Sequence, residues 1–169
     1  MTRKTRTHSK APRRGDGSGV LLLEEFLPYR LLLLAETVSQ SFSQIYAEQF
    51  GIGIPEWRVA AVLGERHQMT AKQIGEHSTM HKTKVSRAVA ALERRGFVKR
   101  TPNPNDLRES FLELTKEGEA MYAQLVPQAL TFSNTLMNVL EPGQKQALED
   151  IISRLTDASR SFRPHGNSQ

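Results

Sequence analysis

The sequence predicts a mainly α-helical fold with one small antiparallel β-ribbon. Three observations predict it. Apolar residues recur at helical spacing over most of the chain from Phe26 to Leu155. Capping residues and breakers, among them Gly51, Gly53, Thr70, Gly96, Thr115, Pro142 and Gly143, divide that pattern into separate helices. Only residues 97–114 show the short alternation of strands around a proline-containing turn. At 169 residues, 38% hydrophobic and 24% charged, the chain suits a single soluble domain, and no apolar run approaches the roughly 20 residues of a membrane helix.

Residues 1–19 lack hydrophobic periodicity and are rich in Arg, Lys, Thr, Ser and Gly, so a disordered basic arm is expected there. Arg13 and Arg14 precede Val20 to Leu23 as in a twin-arginine signal, but Glu24 and Glu25 end the apolar run, and a cytoplasmic protein is expected. From Phe26 to about Gln49, Leu27, Leu31, Leu34, Val38, Phe42 and Ile45 repeat at spacings of three and four, which is a helix. Pro28 suits its first turn, where the missing amide has no helical partner to lose. Leu31 to Leu34 put an apolar group on every side of that helix, and such a helix must be covered all round. A second copy of the chain is the expected cover.

Gly51 and Gly53 break this helix, and Pro55 opens a shorter one to about Arg66, with Trp57 and Ala60 to Leu63 available for packing. Thr70 caps a third helix ending at His77, with Gln73 at the capping-box position. Ser78, Thr79 and Met80 turn the chain into a fourth helix, KTKVSRAVAALERR, stopped by Gly96. Phe97 to Arg100 and Ser110 to Leu114 form paired strands, with Leu112 and Leu114 inward and Glu113 outward. The prolines of Thr101-Pro102-Asn103-Pro104-Asn105 keep the strands from extending far. Thr115 caps a long helix carrying Met121, Tyr122, Leu125 and Val126 on one face, which Pro127 bends without ending, since Leu130, Leu136, Met137 and Leu140 continue the pattern. Pro142 and Gly143 restart the chain. The last helix carries Leu148, Ile151, Ile152 and Leu155 as a single stripe and frays after Phe162. The expected organisation is an arm (1–19), one domain (20–162) with a distinct lobe over 54–115, and a disordered tail (163–169).

The net charge of +5 is unevenly placed. Residues 1–14 and residues 81–108 each carry +6, and everything else carries −7. Two basic blocks on an otherwise acidic chain imply a localised anionic partner, and nucleic acid is the usual one. In the fourth helix Val85, Ala88, Val89 and Leu92 occupy i, i+3, i+4 and i+7 and set the core face. Thr83, Arg87, Ala90 and Arg94 then lie opposite, with Lys84 and Ser86 on the flanks. Small and hydroxyl residues among bases let a helix enter the DNA major groove, where Arg, Ser and Thr meet base edges and phosphates. Lys82 and Arg95 read as phosphate contacts or solvated charges. Thr70 and His81, at the starts of the third and fourth helices, complete the candidate set. At the ribbon tip Asp106 and Arg108 stand two apart, so the acid can hold the guanidinium extended, a geometry that suits a narrow minor groove.

These residues together make a winged helix-turn-helix. KTKVSRAVAALERRGFVKR (Lys82 to Arg100) and NDLRESFLELTKEG (Asn105 to Gly118) resemble the MarR family of winged helix-turn-helix regulators, and the helix order extends the likeness from Leu23 to Phe162. The resemblance implies that Arg108 is the minor-groove arginine of the wing, Asp106 its partner, and the helix beginning near His81 the recognition helix. It further implies a homodimer formed by helices over 24–50 and 116–162, reading double-stranded DNA as a pseudo-palindromic operator with half-sites about 34 Å apart. One departure stands out: family wings often carry several basic residues at the tip, whereas here Leu107, Glu109, Ser110 and Phe111 surround Arg108.

Family members often bind a small anionic or phenolic effector, and Tyr29 and Arg30 with Trp57 and Arg58 offer an aromatic-plus-cation set for one. The run FLPYRL resembles a branch controlling the degradation of aromatic compounds, which implies an aromatic acid or its coenzyme A thioester as ligand; the expected mechanism is a repressor that blocks a promoter and is released by its effector. No nucleophile–base pair, glycine-rich phosphate loop or paired-carboxylate set is present in the sequence, so an enzyme is not expected, nor a cofactor. His77 and His81 are four apart but straddle a turn, which disfavours a metal site. The absence of cysteine removes disulfides and thiol sensing. The alternatives are a sequence-blind, chromatin-like DNA binder and a winged-helix protein-interaction module.

Overall fold

The computed structural model describes residues 19–104, 106 and 108–162. The basic arm expected over 1–19, Gly19 apart, and the tail expected over 163–169 lie outside the described residues. Six helices and three strands follow in the order α1 (Leu27–Phe50), α2 (Ile54–Arg66), β1 (Gln68–Thr70), α3 (Ala71–Ser78), α4 (Lys82–Arg94), β2 (Val98–Pro102), β3 (Ser110–Leu114), α5 (Lys116–Met137) and α6 (Pro142–Ser161). The chain divides into two compact units, residues 1–38 and 39–169.

In the first unit, residues 19–38 expose nearly every apolar side chain. Val20 to Leu23, Phe26, Leu27 and Leu31 to Leu34 are all open to solvent, Leu34 at 59% and Leu32 at 54%. The apolar run Leu31 to Leu34 is therefore helical and, among the described residues, exposed.

The second unit owns the core. Phe42, Tyr46, Ile52, Val59, Leu63, Ile74, Val85, Val89, Leu92, Leu112, Met121 and Leu125 are buried together. An aromatic group lies at one side of it: Trp57 stacks on Tyr46 at 5.7 Å and on Tyr122 at 6.3 Å between ring centroids, and Phe42 meets Tyr46 edge-on at 5.3 Å. Gly64 permits this approach of α2 and α5, because a Cβ there would strike the Tyr122 ring. On the last helix Ile151, Ile152 and Leu155 remain exposed, as do Leu130 and Leu136 on α5.

The caps fall where the sequence places them. Thr70 forms a reciprocal box with Gln73, whose amide donates to Thr70 Oγ1 at 3.3 Å while the Thr70 amide donates to Gln73 Oε1 at 2.8 Å. Thr115 caps α5 by accepting from the Gly118 amide at 3.0 Å. Helix α5 runs through Pro127 to Met137. Two expectations need correcting. The ribbon is a three-stranded antiparallel sheet of order β1-β3-β2, since Gln68–Thr70 adds a strand against β3 with Met69 opposite Leu112. And β2 continues to Pro102 opposite Ser110, because a proline is tolerated on an edge strand, where its missing donor interrupts no interior ladder.

Candidate nucleic-acid interface

Helix α4 is oriented by its buried stripe. Val85, Val89 and Leu92 are fully buried and Ala88 is 1% exposed. Burying each of the three larger side chains is worth about 1.5 to 3 kcal/mol, so turning the helix about its axis would cost several kcal/mol. The opposite face is thereby held outward: Lys82, Thr83, Lys84, Ser86, Arg87 and Arg94 are all exposed, with Ala90 half-buried. His81 is the N-cap of this helix, its Nδ1 accepting from the Thr83 amide at 3.4 Å. It sits exposed at the positive end of the helix, where backbone amides and the helix dipole favour an anion such as a phosphate. His77 lies on α3, so the two histidines belong to different helices, and among the described residues no cluster of three or more His, Asp or Glu could hold a metal.

Thr70, expected both to cap α3 and to meet DNA, is the cap. Its side chain is only 5% exposed and its hydroxyl is committed to the cap, so it orients α3 from within and offers DNA almost no surface. The wing also differs in mechanism. Asp106 Oδ1 accepts from the Arg108 backbone amide at 2.9 Å, and the Glu109 amide donates to the Asp106 carbonyl at 3.0 Å. The acid thus shapes the tip through the main chain, as short polar side chains do in Asx turns, and the Arg108 side chain is exposed. No ion pair joins the two side chains among those the structure shows.

Several cations and acids have partners that sequence reasoning did not assign. Arg95, read as a phosphate contact or solvated charge, donates from Nη2 to the Gly51 carbonyl at 2.5 Å and so ties the end of α4 to the α1–α2 elbow. Phe97 reinforces the tie edge-on against Phe50, 6.4 Å between centroids. Arg100 holds Glu93 with two bonds, Nε to Oε1 at 2.6 Å and Nη2 to Oε2 at 3.1 Å, and this bond to Glu93 raises the Arg100 pKa above its ordinary value. Lys99 pairs across the strands with Glu113 at 3.3 Å. Local periodicity carries no signal for the Arg95 tie, which spans 44 positions. The charge complementarity of Glu93 and Arg100 across a helix-to-strand turn was visible.

The expected effector set falls two residues to each unit. In the first, Tyr29 and Arg30 line a recess of about 320 Å³ with Glu24, Leu33, Leu34 and Thr37. In the second, Trp57 is half-buried in the aromatic group, and Arg58 is half-buried near Tyr46, whose hydroxyl pKa burial pushes up to about 12 against the opposing charge of Arg58. No described helix is long and apolar enough to cross a membrane.

Comparison with known proteins agrees with this geometry. The model of the MarR family matches residues 52–110, which span α2 to the start of β3. The uncharacterised HTH-type transcriptional regulator YwoH of Bacillus subtilis is 30% identical over 105 residues, 62% of this chain and 76% of that protein. The homoprotocatechuate degradative operon repressor of Escherichia coli is 26% identical over 138 residues, 82% of this chain and 88% of that protein. The structure of Sco3205, a MarR family transcriptional regulator from Streptomyces coelicolor in complex with DNA, superposes with a TM-score of 0.71 at 23% identity, covering 89% of this chain and 95% of that one. With the capped helix-turn-helix, the outward basic helix and the wing already in place, these matches identify the chain as a member of the MarR family of winged helix-turn-helix transcriptional regulators.

Proposed function

We propose that the protein is a homodimeric repressor that reads a pseudo-palindromic operator and is released by a small aromatic or anionic effector. The observation that carries the DNA half is α4 itself, whose buried stripe forces Thr83, Lys84, Ser86 and Arg87 outward together from a helix start capped by His81. In this reading α4 enters the major groove with those four residues at base edges and phosphates, Lys82 and Arg94 at the backbone, and Arg108 in the adjacent minor groove. The mix of arginine, serine and threonine favours sequence reading over a purely electrostatic grip. The uncovered leucines of α1 and the exposed Ile151, Ile152 and Leu155 of α6 support the dimer, since apolar faces of this extent are costly to leave in water.

The effector half rests on Tyr29 and Arg30, an aromatic ring and a guanidinium at the mouth of one recess, a pairing suited to an aromatic carboxylate. The name of the E. coli relative, a repressor of a homoprotocatechuate degradative operon, points to the same ligand class. An effector acts by changing the spacing of the two recognition helices, because two half-sites on a rigid duplex must be met together.

Selection of bound sites from random DNA tests the reading. A two-fold related motif with half-site centres one helical turn apart, bound by two chains, is the expected result. A pool that stays random would leave only a sequence-blind binder. Gel shifts on the recovered operator with aromatic acids and their coenzyme A thioesters then test release; an affinity unmoved at saturating ligand removes the effector, and Arg30→Ala together with Arg58→Ala tests which arginine the ligand needs.

A further inference from the structure

We propose that Glu93 and Arg100 form a clamp that sets the angle between the recognition helix and the wing, so that the placing of α4 in the major groove also places Arg108 for the minor groove. The inference rests on the reading that Arg108 is a minor-groove contact.

Helix α4 and strand β2 are joined by Arg95, Gly96 and Phe97, with Gly96 at φ +75° and open space where its Cβ would be. The Gly96 and Phe97 amides close the helix end by donating to the Glu93 and Leu92 carbonyls, both at 2.9 Å, and side chains beyond them set the angle at which β2 leaves. The core side is held by buried Leu92, Val98 and Leu112. On the outer side the span is the two-point bond from Arg100 to Glu93, 2.6 and 3.1 Å. Two parallel bonds between planar groups fix orientation as well as distance, which a single contact cannot do. Strand β2 passes that orientation to the wing, because Arg100 pairs with Leu112 and Pro102 with Ser110 in one unbroken ladder. Strand β3 begins at Ser110 and Arg108 lies in the turn before it, so the lever from Leu112 is at most about 13 Å at roughly 3.3 Å per residue, and a tilt of roughly 10° at the clamp displaces the tip by up to about 2 Å. That displacement is enough to lose a hydrogen bond in a groove about 6 Å wide.

The sign of one substitution separates this role from a merely electrostatic one. At about 100° per residue Glu93 lies on the flank of α4 beside Ser86 and Ala90, at the border of the reading face. A carboxylate there repels phosphate, so its neutralisation should tighten DNA binding if charge is all that matters. If Glu93 acts through Arg100 on the wing, neutralisation should weaken operator binding.

The test measures operator and random-DNA affinity at fixed salt for the full chain, Glu93→Gln, Arg108→Ala and the double variant, with Arg100→Lys as a second probe that keeps the charge and loses the fork. Arg108→Ala is expected to cost about tenfold on the operator in the unaltered chain. Glu93→Gln and Arg100→Lys are each expected to cost roughly threefold, and Arg108→Ala is expected to cost only about threefold further in the Glu93→Gln background, so that the double variant binds like Arg108→Ala alone, the non-additivity of residues acting as one unit. Melting temperatures of Glu93→Gln and Arg100→Lys should stay near that of the unaltered chain, since both side chains are partly exposed. Equal or tighter operator binding by Glu93→Gln, or an Arg108→Ala penalty that is the same in both backgrounds, overturns the clamp while leaving the wing reading intact. An Arg108→Ala variant that binds like the unaltered chain overturns the wing reading, and the clamp with it.

Discussion

Gly118 is the position at which the fold leaves least room, and Gly118→Ala is the sharpest test of the packing described above. The glycine lies in the first turn of α5 against the strand entry, and a Cβ there would overlap the Phe97 carbonyl oxygen and stand 2.9 Å from the carbonyl carbon and 3.2 Å from the Cα. The obstacle is backbone, which cannot rotate aside as a side chain does. That carbonyl also accepts from the Thr115 amide at 3.0 Å, and the Thr115 hydroxyl donates to the neighbouring Gly96 carbonyl at 2.6 Å, so any shift disturbs the junction between β2 and α5. Overpacking costs about 1 to 3 kcal/mol and a weakened hydrogen bond about 0.5 to 1.5, while alanine returns up to about 1 kcal/mol as the better helix former. The net is a loss of about 0.5 to 4.5 kcal/mol, centred on about 2, and that central value lowers Tm by roughly 4 to 8 °C for a chain of this size. Thermal unfolding by circular dichroism at one fixed protein concentration measures it, with Gly143→Ala as the control. Gly143 sits in the first turn of α6 with nothing within 4 Å of its would-be Cβ, so that variant should melt at or slightly above the unaltered chain. A Gly118→Ala variant as stable as Gly143→Ala would refute the reasoning.

Thr70→Ala removes the hydroxyl of the capping box and should cost about 1 kcal/mol in denaturant unfolding, with operator affinity reduced only as far as stability is; a large affinity loss in a stably folded variant would return Thr70 to the DNA contacts. Arg108→Ala should leave Tm unchanged and weaken operator binding about tenfold, read by fluorescence anisotropy. Replacing Leu32 and Leu33 by Glu places two charges on the uncovered face of α1 and should convert a dimer to a monomer in sedimentation or light scattering, with operator binding falling in step; a variant chain of unchanged mass disproves that face as the interface. Burial raises the Tyr46 hydroxyl from its ordinary 10.0 to about 12, so the neutral form is favoured in the folded state. Its contribution is therefore complete below pH 10 and lost as pH rises toward 12, a decline of the order of 2 kcal/mol that should be absent from Tyr46→Phe when the two are compared by denaturant unfolding across that range.

The helices were legible because their signals are local. Thr70 with Gln73, Thr115 with Gly118, and the stripe Val85, Ala88, Val89, Leu92 each lie within one or two turns, and caps and burial followed as read. Strand β1 was not legible. Three residues, Gln68–Thr70, are too few to show alternation, and they become a strand only because Met69 meets Leu112, 43 positions later, where β3 has an edge to offer. The wing pair was half legible: the spacing of Asp106 and Arg108 marked a built tip, but spacing does not say whether a carboxylate takes a guanidinium or an amide, and the main chain took it.

The sequence by itself determined which residues face out of the recognition helix, where each helix begins, and that a basic segment sits on an otherwise acidic chain. Those are properties of periodicity, capping chemistry and composition, all settled within a few neighbouring residues. Only the tertiary structure decided what Arg95, Glu93 and Arg100 do. Arg95, read as a phosphate contact or solvated charge, reaches the Gly51 carbonyl, and Arg100 holds Glu93. A long charged side chain reaches whichever partner the packing of distant elements brings near, and which elements those are depends on the whole core at once.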